Sequence, residues 1–217
     1  MTTIDQQWAH GTPERAVADA FSAFRHRDVA QLAAVATSAS IRALAARVGR
    51  ELDARDSGTP ASSTSELTDS QAVSTLGRIV ASLPELLTDS VRCLIVGHVL
   101  ESRLVDASPD GRGLISLECR VTGADAEWLS VSCDPQVHGE IANRAADRAH
   151  VVCRLALEFP GQSIAPLSPE PEIASTQLVN GEWKLVLDEE SGLGLPGFRG
   201  LGLWIDKGSG TEASTDD

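Results

Sequence analysis

Leu178-Val179-Asn180-Gly181-Glu182-Trp183-Lys184-Leu185-Val186-Leu187 sets two apolar segments on either side of a single Asn-Gly pair. Asn and Gly accept the positive φ angles of a tight hairpin turn, and the β-branched, aromatic and aliphatic neighbours suit a pleated surface. The stretch predicts a closing hairpin with strands over Ile173 to Val179 and Glu182 to Leu187. Trp183 is expected to anchor the core from that hairpin.

Moving upstream, the strand pattern repeats. In His150 to Phe159, Val151, Cys153, Leu155, Leu157 and Phe159 alternate with Val152, Arg154, Ala156 and Glu158. In Leu114 to Thr122, Ile115, Leu117, Cys119 and Val121 alternate with Ser116, Glu118, Arg120 and Thr122. Cys119 with Val121 and Cys153 with Leu155 are expected to face the helices. Antiparallel pairing of these two strands would set Glu118 beside Arg154 as a cross-strand ion pair. Val91 to Val105 is apolar on both faces until Glu101, which predicts a strand buried at first and solvated later. Asp110-Gly111-Arg112-Gly113 turns the chain between them. The insert from Gly123 to Asp147 adds a short strand over Trp128 to Cys133 and a brief helix after Asp134-Pro135.

The first half of the chain reads as helices. Thr12-Pro13-Glu14 supplies a capping hydroxyl, a proline at the first helical position and an acid in the first turn. Val17, Ala20, Phe21 and Phe24 then recur on one stripe. Asp28 caps a second helix, which carries Val29, Leu32, Val35 and Ala36. A third helix places Ile41, Leu44, Ala45, Val48 and Leu52 together and ends near Asp53. A loop follows over Asp53 to Ser65. Thr68 to Gln71 fits a capping box for a fourth helix with Val73, Leu76, Val80 and Leu83, which Pro84 stops.

A chain of 217 residues with 42% hydrophobic content fits one domain with an ample core. Its organisation is a flexible lead-in over 1–11, an α+β domain over 12–190, and a Gly-rich extension with an acidic tail over 191–217. The formal charge of −13 opposes phosphate backbones and anionic lipid, so nucleic acid and membrane are excluded as partners. No apolar run is long enough to cross a bilayer and no leader pattern precedes Thr12, so a cytoplasmic protein is expected. Cys93, Cys119, Cys133 and Cys153 form no CxxC pair and read as reduced thiols.

Three pieces together resemble the NTF2-like (SnoaL-like) superfamily: Thr12-Pro13-Glu14-Arg15-Ala16-Val17, the junction from Phe24 to Leu32 through Asp28, and Val179-Asn180-Gly181-Glu182-Trp183-Lys184-Leu185. The resemblance spans Thr12 to Leu187 in element order. It implies N-terminal helices packed in the concave face of a strongly curved, cone-shaped antiparallel sheet. It also implies a pocket at the open end of the cone and a homodimer through the sheet. The loop at 53–65, the insert at 123–147 and the tail after Ser191 depart from the smaller members. The family holds isomerases, dehydratases and cyclases beside non-enzymatic members, so fold alone selects no activity.

The enzymatic members use a carboxylate base with a Tyr, Asp, His or Arg partner, and this chain has no tyrosine. His98, alone in an apolar strand, is the catalytic candidate, because burial and a nearby carboxylate would let it move a proton near neutrality. Glu118, Arg120, Arg154 and Glu158 on the polar strand faces are the ligand-binding candidates. Asp28 is explained as a helix cap. Cys133, His138 and His150 match no zinc ligand frame, and Gly192 to Gly197 lacks the Lys-Ser/Thr of a phosphate loop, so no metal and no cofactor is expected.

Two functions follow. One is a non-catalytic module that binds a partner protein, itself or a small apolar ligand. The other is a cofactor-independent isomerase, dehydratase or cyclase for a small hydrophobic carbonyl compound, with His98 or a pocket carboxylate as base and an arginine as partner.

Overall fold

In the computed structural model, which describes residues 8–57, 67–82, 89–107, 113–123, 128–142, 146–159, 161, 165–166 and 170–187, the Asn180-Gly181 turn closes as its residue types require. Both hold positive φ, 52° and 83°. The turn aligns Leu178 with Trp183 and Val179 with Glu182 across β6 (Glu172–Val179) and β7 (Glu182–Leu185). The tail from Ser191 lies outside the described residues.

Each helix begins where a side chain satisfies its free amides. Thr12 Oγ1 accepts from Arg15 N at the head of α1 (Pro13–Arg25). Asp28 Oδ1 accepts from Gln31 N at 2.9 Å to start α2 (Val29–Val35). The next helix, α3 (Ser38–Ser57), follows the Thr37 cap, whose hydroxyl accepts from Ser40 N. It runs past Asp53 through Ser57, because Ala54 and Arg55 favour helix and no Gly or Pro intervenes before Gly58. Thr68 and Gln71 exchange reciprocal bonds at the head of α4 (Asp69–Ser82): the Thr68 hydroxyl accepts from Gln71 N and the Gln71 amide oxygen accepts from Thr68 N.

The remaining elements are β1 (Val91–Asp106), β2 (Ile115–Val121), β3 (Leu129–Cys133), α5 (Pro135–Ala142), β4 (Arg148–Leu157) and a two-residue β5 (Ala165–Pro166). They form an antiparallel sheet in the order β3-β2-β1-β4-β6-β7, with β5 on β4. The sheet is curved and does not close. The class is α+β.

β1 carries the architecture. Its first half, Val91 to His98, pairs with β4, and its second half, Val99 to Asp106, pairs with β2. Gly97 sits in the irregularity between them with φ of 157°. A Cβ there would lie 2.1 Å from the backbone carbonyl oxygen of Thr122. Only a glycine lets β2 approach so closely, and the extra residue in β1 exchanges the faces of the strand.

Two cores result. On one sheet face, Val17, Phe21, Phe24, Leu32, Leu44 and Leu76 of α1 to α4 pack with Val151, Cys153, Leu155, Ala174 and Leu185. On the other, Leu117, Cys119 and Val121 of β2 pack with Val131, Val137, Ile141, Val152 and Ile173. Cys153 and Leu155 thus face the N-terminal helices as expected. Cys119 and Val121 do not; the bulge turns them toward α5. Glu118 does not meet Arg154 either, because β1 lies between β2 and β4. Glu118 Oε2 instead accepts from Arg103 Nε at 2.6 Å, and Arg154 stands opposite Leu94. All four cysteines are free thiols. No helix among the described residues is long and apolar enough to cross a membrane.

Gly97→Ala is expected to cost about 2 kcal/mol or more, through the clash with Thr122 and the positive φ. Gly77→Ala, in α4 with nothing within 4 Å of the added Cβ, should raise stability by roughly 0.5–1 kcal/mol. Urea unfolding of both variants checks the contrast.

Candidate functional site

After the His98–Val151 pair, β1 leaves β4 and runs on with β2, so among the described residues Arg148 to His150 of β4 pair only with β6. The fork leaves a cavity of about 410 Å³. Pro13 of α1, Val99 and Leu100 of β1, Ile141 of α5, Ala146, Ala149 and Trp183 give it an apolar wall. His98, Arg148 and His150 are its polar lining residues. An apolar chamber with a few convergent polar groups is the usual make-up of a small-molecule site.

His98 is held by a carboxylate 84 residues away in sequence: its Nδ1 lies 2.6 Å from Glu14 Oε1. The Thr122 hydroxyl donates to the same Glu14 oxygen at 3.0 Å and accepts from the His98 backbone N–H at 3.1 Å. Glu14 is 3% exposed, while the His98 side chain is 30% exposed. Burial pushes the Glu14 carboxyl upward. Hydrogen bonds from the His98 ring, its own backbone N–H and Thr122, together with the His98 charge, outweigh burial and hold its pKa below the usual 4.5. A carboxylate that accepts from Nδ1–H fixes the ring's orientation and leaves the lone pair of neutral imidazole on Nε2.

On β4, His150 is buried and its Nδ1 lies 3.1 Å from Ser175 Oγ. Arg148 is poised beside Glu140, Nη1 to Oε1 at 3.0 Å. Trp183, expected in the core, is half-buried and forms a wall of the cavity. It shares a sheet face with Leu185 but lies nearer the fork, where α1 offers Pro13 rather than a phenylalanine.

Of the four polar strand residues, Arg120 lines a second groove of about 580 Å³ with Leu100, Glu101, Ser102, His138 and Ile141. Glu118, Arg154 and Glu158 line neither cavity. Glu118 pairs with Arg103, whose guanidinium sits 4.4 Å from the Trp128 ring centre. Glu158 accepts from Arg92 Nε at 2.6 Å. Two thiols are pushed up: burial, with Cys153 and Glu172 nearby, raises Cys93, and burial with Cys119 and Asp134 nearby raises Cys133 to about 12. Among the described residues, no three His, Cys, Asp or Glu side chains converge as metal ligands.

Glu14 and Thr122 escape the sequence reading for a plain reason. Glu14 has a complete local explanation as the acid of a first helical turn, and Thr122 as a polar strand-end residue. No family model, curated protein or solved structure matches this chain.

Glu14→Gln removes a charged hydrogen-bond acceptor from a buried position, so stability at pH 7 should fall by about 2 kcal/mol. Because Glu14 titrates lower in the folded chain than in the unfolded one, its ionised form stabilises the fold above pH 4.5. That contribution is lost as pH falls through the folded value. The stability gap between wild type and Glu14→Gln should therefore be present above pH 4.5 and close below it, which urea unfolding across pH measures.

Proposed function

We propose that this chain is an NTF2-like protein whose cone is the curved sheet with α1 to α4 in its concave face. In this reading it is a cofactor-independent acid–base enzyme acting on a small, largely apolar carbonyl compound. The observation that carries the reading is the 2.6 Å contact between Glu14 and His98 at the wall of an open cavity. A histidine with structural work alone has no need of a cavity at its ring.

His98 is the general base. A ketone or enone seated between Trp183 and Leu100 presents an acidic α-carbon to Nε2. The C–H bond breaks, the proton passes to Nε2, and the electron pair moves through the α-carbon to the carbonyl oxygen as an enolate. Glu14 stabilises the imidazolium that forms, and Thr122 holds the carboxylate. Arg148, which lines the same cavity, supplies the positive charge for the enolate oxygen. Return of the proton to a different carbon completes an isomerisation; departure of a β-substituent in its place completes an elimination.

The decisive measurement is α-proton exchange in D2O, followed by NMR, on a panel of small cyclic ketones and enones. Wild type should exchange the α-protons of at least one member faster than buffer. Exchange should fall by about 10²–10⁴-fold in His98→Ala and by roughly 10²-fold in Glu14→Gln. Thermal unfolding shows that both variants remain folded. Saturable binding with no exchange on any member would return the chain to a non-catalytic binding module.

A further inference from the structure

The fork between β1 and β4 continues outward past the His98 cavity. Beyond it lies the groove of about 580 Å³, where Leu100, Glu101 and Ser102 of β1 and Arg120 of β2 meet His138 and Ile141 of α5. Leu100 and Ile141 line both spaces, so the two adjoin along one apolar strip. Because the groove follows an edge of β1 that, among the described residues, no second strand covers, it takes lining from both sheet faces. Glu101 and Arg120 stand opposite each other in register and leave one face. Ser102 stands opposite Cys119, which packs toward α5 on the other.

The charges at the outer end are uncommitted. Arg120 has no ion-pair or hydrogen-bond partner among the described residues, although Glu101 is its register neighbour. Arg148, the arginine of the inner cavity, already lies beside Glu140. An exposed arginine is ordinarily just solvated and marks no site. Arg120 differs because the groove it lines leads back along an apolar strip to His98. Its planar fork matches a carboxylate, which accepts two parallel N–H bonds. Glu101 beside it, and the chain's charge of −13, disfavour a dianion such as a phosphate ester. His138 Nδ1 is buried without a hydrogen-bond partner among the described residues, which leaves Nε2 as the ring nitrogen for a ligand in the groove.

We propose that cavity and groove form one binding slot for an oxo acid. The ketone or enone body fills the inner cavity, an alkyl chain crosses Leu100 and Ile141, and a terminal carboxylate sits on Arg120. That this acid is the substrate rests on the catalytic reading of His98; the carboxylate subsite is a matter of binding alone. Glu101 lies three residues beyond His98 on β1, at most about 10 Å at the rise of an extended strand. A chain of about six carbons between ketone ring and carboxylate spans that distance. Anchoring the carboxylate fixes how far the chain runs inward, and hence which carbon meets His98 Nε2.

The test compares a cyclohexanone bearing an ω-carboxyalkyl chain of about six carbons with its methyl ester, on the full chain. Affinity is read by isothermal titration calorimetry at about pH 7, where the acid is ionised, and α-proton exchange is followed in D2O in parallel. The acid should bind about tenfold more tightly than the ester. Arg120→Gln should erase that preference and leave the ester's affinity unchanged. Glu101→Gln should tighten the acid by roughly threefold without changing the ester. Both residues are exposed, so neither substitution disturbs a core. Equal binding of acid and ester, binding of neither, or a preference that survives Arg120→Gln would each overturn the slot. An acid preference governed by Arg120 without exchange supports the slot and removes the catalytic reading. Exchange of neutral ketones without an acid preference does the reverse.

Discussion

Everything in this fold turns on how near β2 comes to β1 at Gly97. The carbonyl of Thr122 occupies the place of a side chain at that residue, and the extra residue in β1 lets one strand serve two neighbours in succession. With a straight β1, β2 and β4 would flank it along its whole length and one face would hold all the apolar residues. Instead the faces exchange, which gives the molecule two cores on opposite sides of the sheet and opens a fork where β1 departs from β4. The cavity is that fork. Among the described residues, the unpaired edge of β1 beyond His98 is its other consequence.

The same close approach assembles the polar site. His98 follows Gly97 directly, and Thr122 is the residue whose carbonyl meets Gly97, so backbone geometry brings the Thr122 hydroxyl to the His98 amide and ring. The first turn of α1, seated on the sheet through Val17 and Phe21, adds Glu14. A buried carboxylate is costly unless hydrogen-bonded, and here a ring nitrogen, a hydroxyl and its own amide satisfy it. The arrangement concentrates one negative charge behind an imidazole in a chamber whose other polar lining residues are Arg148 and His150. That is a different use of charge from the surface pairs Arg103–Glu118 and Arg92–Glu158, which stay in contact with water and contribute little to stability.

Much of the secondary structure is legible residue by residue because its causes are local. Thr12, Asp28 and Thr68 cap helices through their own side chains, and Asn180-Gly181 selects the hairpin through its own φ preferences. His98 also stands out locally, as a titratable group in an apolar strand. Its partner does not. Glu14, Thr122 and Trp183 each have a sufficient local role, so nothing in their neighbourhood marks them as parts of one site. The expected pairing of Glu118 with Arg154 failed for a related reason: alternation reports which residues share a face of their own strand, but not which strand lies beside it.

The sequence by itself determined what short-range chemistry can fix: caps, turns, apolar stripes, the free and buried thiols, and the acidic surface. It also supplied a glycine inside an otherwise β-branched and aliphatic strand, whose meaning depends on an atom 25 residues further along the chain. Only the tertiary structure decided strand order, the exchange of faces at Gly97, the Glu14–His98–Thr122 cluster and the cavity beside it. Those features arise from contacts between residues far apart in sequence, and no local propensity carries information about which distant backbone will fill the space a missing side chain leaves.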